Sequence, residues 1–202
     1  MRLLDLFCGA GGAAVGYYRA GFTEIVGVDN RPMPRYPFEF VQADALEYLA
    51  EHGREFDVIH ASPPCQAYSK ATAWRGRRTD HPDMIEAVRM ALVATGRPYI
   101  IENVEGARGR LNLPILLCGT TFNLPFRRHR FFELSWYPAI LVPPCAHRAD
   151  DFSFDHGGKQ TERTYADAIG CDWMAVIEAR QAIPPAYTEW IGRRLLEVIN
   201  GR

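Results

Sequence analysis

The first half of the chain alternates short apolar runs with helical stretches, and few folds accept that pattern. Strands buried on both faces, each returned to its neighbour by a helix, form a parallel sheet. The runs at residues 2–7, 24–29, 38–41, 56–60 and 98–101 are the predicted strands. Helices are predicted over residues 12–20, 45–52 and 82–95. Residues 67–81 are polar, glycine-containing and arginine-rich, and are expected to form a loop. Two further short strands are expected at 115–118 and 131–134. Residues 135–170 show little periodicity, and a last helix spans 185–199, with Pro185 at its start and Gly201 just past its end. The expected fold class is α/β: a Rossmann-like, doubly wound, mostly parallel sheet with a small irregular C-terminal extension.

At 202 residues, 48% hydrophobic and 23% charged, the chain is long enough for one domain with a sizeable core and too short for two full ones. It contains no run of about 20 apolar residues and no basic-then-apolar leader, so no membrane partner and cytoplasmic residence are expected. Five scattered cysteines, an odd number, read as thiols rather than a disulfide framework. The net charge of −1 does not advertise a nucleic-acid binder, yet arginines cluster at Arg75, Arg77 and Arg78, at Arg108 and Arg110, and at Arg127, Arg128 and Arg130. On sequence alone such clusters are more often solvated surface than a phosphate track. Their meaning depends on whether they flank a site.

The stretch Asp5-Leu6-Phe7-Cys8-Gly9-Ala10-Gly11-Gly12 places glycines between a strand and a helix, where backbone can approach a ligand and helix N–H groups can face it. Asp29 ends the next strand, where a carboxylate can accept from both ribose hydroxyls. Asp44 follows the third strand and could accept from an adenine amino group. A glycine turn alone is weak evidence, because any tight turn needs glycine. Combined with the two acids, it points to a nucleoside cofactor.

Ser62-Pro63-Pro64-Cys65-Gln66 resembles the Pro-Cys-Gln motif of the DNA (cytosine-5) methyltransferases. The Asp5 to Gly12 stretch is similar to that family's first motif, Glu102-Asn103-Val104 to its Glu-Asn-Val motif, and Arg128-His129-Arg130 to its Arg-x-Arg motif. They occur in the family's order over roughly two thirds of the chain. Ala182-Ile183-Pro184-Pro185 resembles its last motif, whose helix returns beside the cofactor.

The resemblance implies transfer of a methyl group from S-adenosylmethionine, leaving S-adenosylhomocysteine, to carbon 5 of cytosine in DNA. Carbon 5 is too poor a nucleophile to act unaided; a thiolate adding at carbon 6 makes it an enamine carbon. On this reading Cys65 is the nucleophile, Glu102 bonds or protonates ring nitrogen 3, and Arg130 with Arg128 contacts the base carbonyl or a phosphate. The bland alternatives are a buried core cysteine at Cys65 and a solvated turn at 127–130. The implied cofactor set is Asp5, Phe7, Gly9, Gly11, Gly12, Asp29, Asn30, Asp44, Ala45 and Pro63. Gln66, Ser69, Arg75, Arg77 and Arg78 are the implied DNA-binding set, and Trp74 is a candidate wedge for a base flipped out of duplex DNA.

Residues 1–134 read as the catalytic and cofactor-binding core, 135–181 as a much reduced target-recognition region, and 182–202 as the returning helix. Residues 157–161 are candidates for a groove-approaching turn or a plain surface loop. The sequence departs from the family at Phe126, where a Gln is usual, and at Arg180-Gln181, where Gly-Asn is usual. Cys145, His147, His156 and Cys171 match no standard zinc spacing, so no metal is expected. A monomer in a restriction-modification or viral setting is expected. Two alternatives stand beside this reading: methylation of a free cytosine nucleotide, and a non-catalytic cofactor- or DNA-binding module.

Overall fold

The apolar runs become strands β1 (Arg2–Leu6), β2 (Glu24–Asp29), β3 (Glu39–Gln42), β4 (Val58–Ala61) and β5 (Tyr99–Asn103), followed by β6 (Ile115–Leu117), β7 (Phe126–Arg127), β8 (Arg130–Leu134) and β9 (Phe152–Ser153). Helices are α1 (Gly12–Ala20), α2 (Ala45–His52), α3 (Ile85–Thr95), α4 (Glu162–Ile169), α5 (Val176–Gln181) and α6 (Pro185–Ile199). The computed structural model describes residues 1–65, 68, 83–136, 142–153 and 162–201. Among them, no helix is long and apolar enough to cross a membrane.

Seven strands form one sheet in the order β3-β2-β1-β4-β5-β8-β6, with β7 and β9 as a separate pair. Strands β3, β2, β1, β4 and β5 are parallel to one another, and β8 is antiparallel to both β5 and β6. This is the mostly parallel, doubly wound α/β sheet expected from the sequence. The order reverses between β1 and β4, so the connections leaving their adjacent carboxyl ends run to opposite sides and open the crevice where such sheets bind ligands.

Strand side chains alternate between the two faces. Leu3, Ile25, Val58 and Ile100 pack with Tyr17 of α1 and Tyr187, Ile191 and Leu195 of α6. Leu4, Leu6, Val26, Val28, Ile59 and Ile101 pack with Leu49 of α2 and Val88 and Leu92 of α3. On the α1 face, the alternation also buries Asp5 and His60 completely. Tyr17 Oη and His60 Nδ1 lie 2.9 Å apart, and Tyr36 Oη donates to Asp5 Oδ2 at 3.2 Å, so much of this polar load is shared.

Helix α6 returns to lie on α1 because both surfaces are shaped for close approach. A Cβ at Gly16 would stand 2.0 Å from Thr188 Oγ1 and 2.2 Å from the Pro185 carbonyl. Instead, Thr188 Oγ1 donates to the Ala13 carbonyl at 2.8 Å. On the other edge, Arg89 of α3 holds Glu133 of β8 through two 2.8 Å bonds, and Glu133 also accepts from Asn112 N at 2.8 Å.

Two differences from the sequence reading concern local pattern. The fourth predicted strand begins later and reaches Ala61, and β5 continues through Glu102 and Asn103, because β8 supplies a partner for both residues. Within the stretch read as irregular, α4 forms and buries Ala166 and Ile169, three residues apart on one helix face. These join Ala10, Phe126, Cys171, Met174 and Ala179 in a third apolar cluster.

Candidate active site

Strand β1 ends at Leu6, and the chain enters α1 through a turn in which Phe7 has φ +57°, Gly9 +50° and Gly11 +87°. A non-glycine residue in the left-handed region costs about 1 kcal/mol, and such strain collects at functional turns. The turn is fastened to β2: Cys8 N donates to the Val28 carbonyl at 3.1 Å and Gly9 N to Asp29 Oδ2 at 3.2 Å. Asp29 Oδ1 receives Arg31 N at 3.0 Å.

The three glycines differ. No atom lies within 4 Å of where a Cβ of Gly9 would stand, so this part of the turn borders open space. Gly11 lies against Pro37 and Tyr36, while the missing side chain of Gly12 admits the Ile183 carbonyl, which would be 2.4 Å from a Cβ. Asp44 caps α2, accepting from Leu46 N at 2.8 Å and Glu47 N at 3.1 Å through Oδ1. Ala45 is buried at the start of that helix, and Asn30 is exposed beyond Asp29.

Strand β4 leads into Ser62-Pro63-Pro64-Cys65. Ser62 N bonds the Leu6 carbonyl at 3.2 Å, and Ser62 Oγ donates to the Phe7 carbonyl at 3.2 Å, which joins this turn to the glycine turn. Asn103 Nδ2 donates to the Pro63 carbonyl at 2.9 Å, tying the end of β5 to the same segment. Cys65 is left partly exposed.

Antiparallel β8 explains how a later part of the chain enters the site. Asn103 pairs with Phe131 and Glu102 with Phe132, so the start of β8 meets the end of β5. Arg130 Nε consequently lies 3.0 Å from Glu102 Oε1, with the two side chains 15% and 8% exposed. Burial raises the proton affinity of Glu102, and Arg130 and Arg128 oppose that rise. Burial and Glu102 push the Cys65 thiol up, while Arg130 and Arg128 pull it down. One thiol, one carboxyl and two guanidinium groups are thus electrostatically linked. At Cys8, by contrast, burial, Asp5 and Asp29 all favour the thiol.

The two arginines take different positions. Arg128 is buried, and its Nη2 donates to the Arg180 and Ala182 carbonyls at 2.8 and 2.9 Å; its own carbonyl accepts from Tyr187 Oη at 2.6 Å. It ties the segment before α6 to the site. Phe126, one of the departures from the family pattern, is fully buried against Gly119 in the third cluster. The sequence reading also missed Trp173, whose Nε1 donates to the Ala10 carbonyl at 3.0 Å, and Tyr36, which reaches Asp5. An aromatic residue carrying a polar atom just beyond the irregular stretch was the signal available for Trp173.

Gln66, Ser69, Trp74, Arg75, Arg77, Arg78, His156 and residues 157–161 lie outside the described residues. Cys171 is buried in the third cluster and so is separated from Cys145 and His147, which instead meet Cys118 and His129.

A family model described as C-5 cytosine-specific DNA methylase matches residues 1–117, more than half of the chain. The chain belongs to the C-5 cytosine-specific DNA methylase family. It is 32% identical over 119 residues to the Type II methyltransferase M.FnuDI of Fusobacterium nucleatum, a match covering 55% of this chain and 35% of that protein. It is 31% identical over 124 residues to the Type II methyltransferase M.HgiGI of Herpetosiphon aurantiacus, covering 54% of this chain and 94% of that one. The structure of Entamoeba histolytica methyltransferase EhMeth shares the fold, with a TM-score of 0.51 at 16% identity over 72% of this chain and 57% of that one. This C-5 cytosine-specific DNA methylase family member carries Cys65 and Glu102 inside the matched span, and Arg128 and Arg130 beyond it.

Proposed function

We propose that this chain transfers a methyl group from S-adenosylmethionine to carbon 5 of cytosine in DNA, through a covalent bond between Cys65 and carbon 6. The observation carrying the proposal is the buried Glu102–Arg130 pair at 3.0 Å, electrostatically coupled to a partly exposed Cys65 thiol. A core cysteine would not need such neighbours.

The residues around the glycine turn fit the cofactor. Gly9 borders open space, the two Asp29 oxygens each hold one N–H and retain acceptor capacity for ribose hydroxyls, and Asp5 Oδ1 is buried without a hydrogen-bond partner among the described residues. Asp5, Phe7, Gly9 and Asp29 would hold it, with Asn30, Asp44, Ala45 and Pro63 along the rim. Gly11 and Gly12 contribute by letting Pro37 and the Ile183 carbonyl close around the turn. When bound, S-adenosylmethionine supplies an electrophilic methyl group.

The chain's own groups do the rest. Cys65, as thiolate, adds to carbon 6 and makes carbon 5 nucleophilic. Glu102, whose burial favours the protonated form, bonds or protonates nitrogen 3 and draws charge from the ring as the bond forms. Arg130 balances Glu102 and favours the thiolate, and Arg128 adds a second positive charge while holding the segment before α6. After methylation, loss of the carbon 5 proton and expulsion of the thiolate restore the ring. In duplex DNA the base must first leave the stack, which costs a few kcal/mol. We assign that grip to Gln66, Ser69, Arg75, Arg77 and Arg78, and reading of a short site to residues 135–181.

The test is incorporation of labelled methyl from S-adenosylmethionine into duplex DNA, single-stranded DNA and deoxycytidylate. The proposal expects label at cytosine carbon 5 of DNA, greatest in the duplex. Label confined to deoxycytidylate would establish the free-nucleotide reading, and no label in any substrate from a folded protein would overturn both.

A further inference from the structure

Cys118, His129, Cys145 and His147 come from three separate segments, yet their ligand atoms all lie within 4.8 Å of one another. Cys118 follows β6, His129 stands between the two arginines ahead of β8, and Cys145 and His147 belong to the stretch that leads to β9. We propose that these four side chains form a closed zinc site that fastens the 142–153 segment to the Arg128-His129-Arg130 turn.

Three spacings between the donor atoms match those around one ion. Zinc held tetrahedrally at about 2.3 Å from sulfur and about 2.0 to 2.1 Å from nitrogen requires about 3.3 Å between nitrogens and about 3.6 Å between sulfur and nitrogen. His129 Nε2 and His147 Nε2 are 3.3 Å apart, Cys118 Sγ and His147 Nε2 3.4 Å, and Cys145 Sγ and His129 Nε2 3.7 Å. Hydrogen bonding among the four accounts for this less well. Each Nε2 has a single proton or a single lone pair, yet each faces both the other Nε2 and a sulfur. A cation at the centre receives one lone pair from every group.

The surroundings resemble those of a structural metal centre. Thr120 Oγ1 donates to Cys118 Sγ at 3.4 Å and accepts from Ala146 N at 3.2 Å, so one hydroxyl supports a sulfur ligand and ties its segment to the one carrying Cys145 and His147. Cys118 is buried, His129 and Cys145 are intermediate and His147 is exposed, which leaves an entry side. Two thiolates and two imidazoles select zinc among common cations, and four protein ligands leave no open position, so the ion is structural. Residues 135–181 are too few for a separate hydrophobic core, and small units of this kind are commonly held by a metal.

One consequence rests on the function proposed above: by fixing His129, the ion holds Arg130 against Glu102. The zinc site itself does not depend on that reading.

The test uses the full chain, purified in reductant without added metal. Elemental analysis by mass spectrometry should find about one zinc per chain. After chelation, added cobalt(II) should give the visible bands of a tetrahedral thiolate-ligated ion. The double variant Cys145→Ser, His147→Asn should lose both signals, and Thr120→Val should weaken zinc retention by about tenfold or more. The cobalt titration of wild-type chain keeps the proposal falsifiable if the variants misfold. Neither zinc nor a cobalt spectrum from folded wild type with reduced thiols would overturn it, as would a Cys118–Cys145 disulfide that persists in reductant. Because metal content is read without any methyl transfer, zinc in a chain that methylates nothing would sink the enzymatic reading alone, and a metal-free active chain would sink this one alone.

Discussion

Cys65 is governed by neighbours of opposite sign, and each can be removed separately. Burial and Glu102 raise its proton affinity, whereas Arg130 and Arg128 lower it. Alkylation of Cys65 by iodoacetamide, followed by peptide mass spectrometry across pH, reads the thiolate directly. In Arg130→Gln the midpoint should move to higher pH, slowing alkylation at neutral pH by about tenfold; in Glu102→Gln it should move to lower pH. Equal midpoints in wild type and both variants would show that the thiol does not sense these charges. That these four residues would come together was legible from short motifs in the sequence. The division of labour between Arg128 and Arg130 was not, since only the fold shows that one arginine faces a carboxylate and the other two backbone carbonyls.

Helix α1 carries the tightest contact between elements. Gly16→Ala would drive a methyl into Thr188 and the Pro185 carbonyl, and should lower unfolding free energy by about 1–3 kcal/mol. Gly109→Ala has no atom within 4 Å and should stay within about 0.5 kcal/mol. Urea denaturation of both variants checks the contrast; equal effects would contradict the packing account. Glu133→Ala should be at least as severe, roughly 3 kcal/mol by the same measurement, because it removes the buried carboxylate of Arg89 and leaves that guanidinium only the exposed Glu86 as an ionic partner among the described residues. Helices α1, α2 and α6 were legible to the residue, since glycine, an Asp cap and proline mark their starts. Helix α4 was missed because eight residues give too short a period to stand out. The parallel sheet could be read from alternating runs, but the antiparallel insertion of β8 depends on long-range pairing that no local pattern encodes.

At the scale of the whole molecule, buried polar groups make stability depend on pH. His60 is fully buried and its pKa is lowered by burial to about 3, against about 6.5 when exposed. Between those values the unfolded chain holds a proton that the folded chain does not, so this group makes stability fall with falling pH, by about 1.4 kcal/mol per pH unit. Asp5 and Glu102, whose proton affinities are raised by burial, act in the opposite sense over the acid range, so comparison with a variant isolates the histidine. His60→Gln should flatten the acid side of the stability profile, measured by denaturant unfolding from pH 7 to pH 4; an unchanged slope would contradict a neutral buried imidazole. The central claim is that Cys65 bonds to carbon 6 of cytosine. It is tested most directly by incubating the chain and S-adenosylmethionine with duplex DNA in which 5-fluorocytosine replaces cytosine, because fluorine cannot leave as a proton does. The account predicts a denaturation-resistant protein–DNA adduct that maps to Cys65 and is absent in Cys65→Ser. A folded, cofactor-binding wild-type chain that forms no adduct, or one that maps elsewhere, would contradict it.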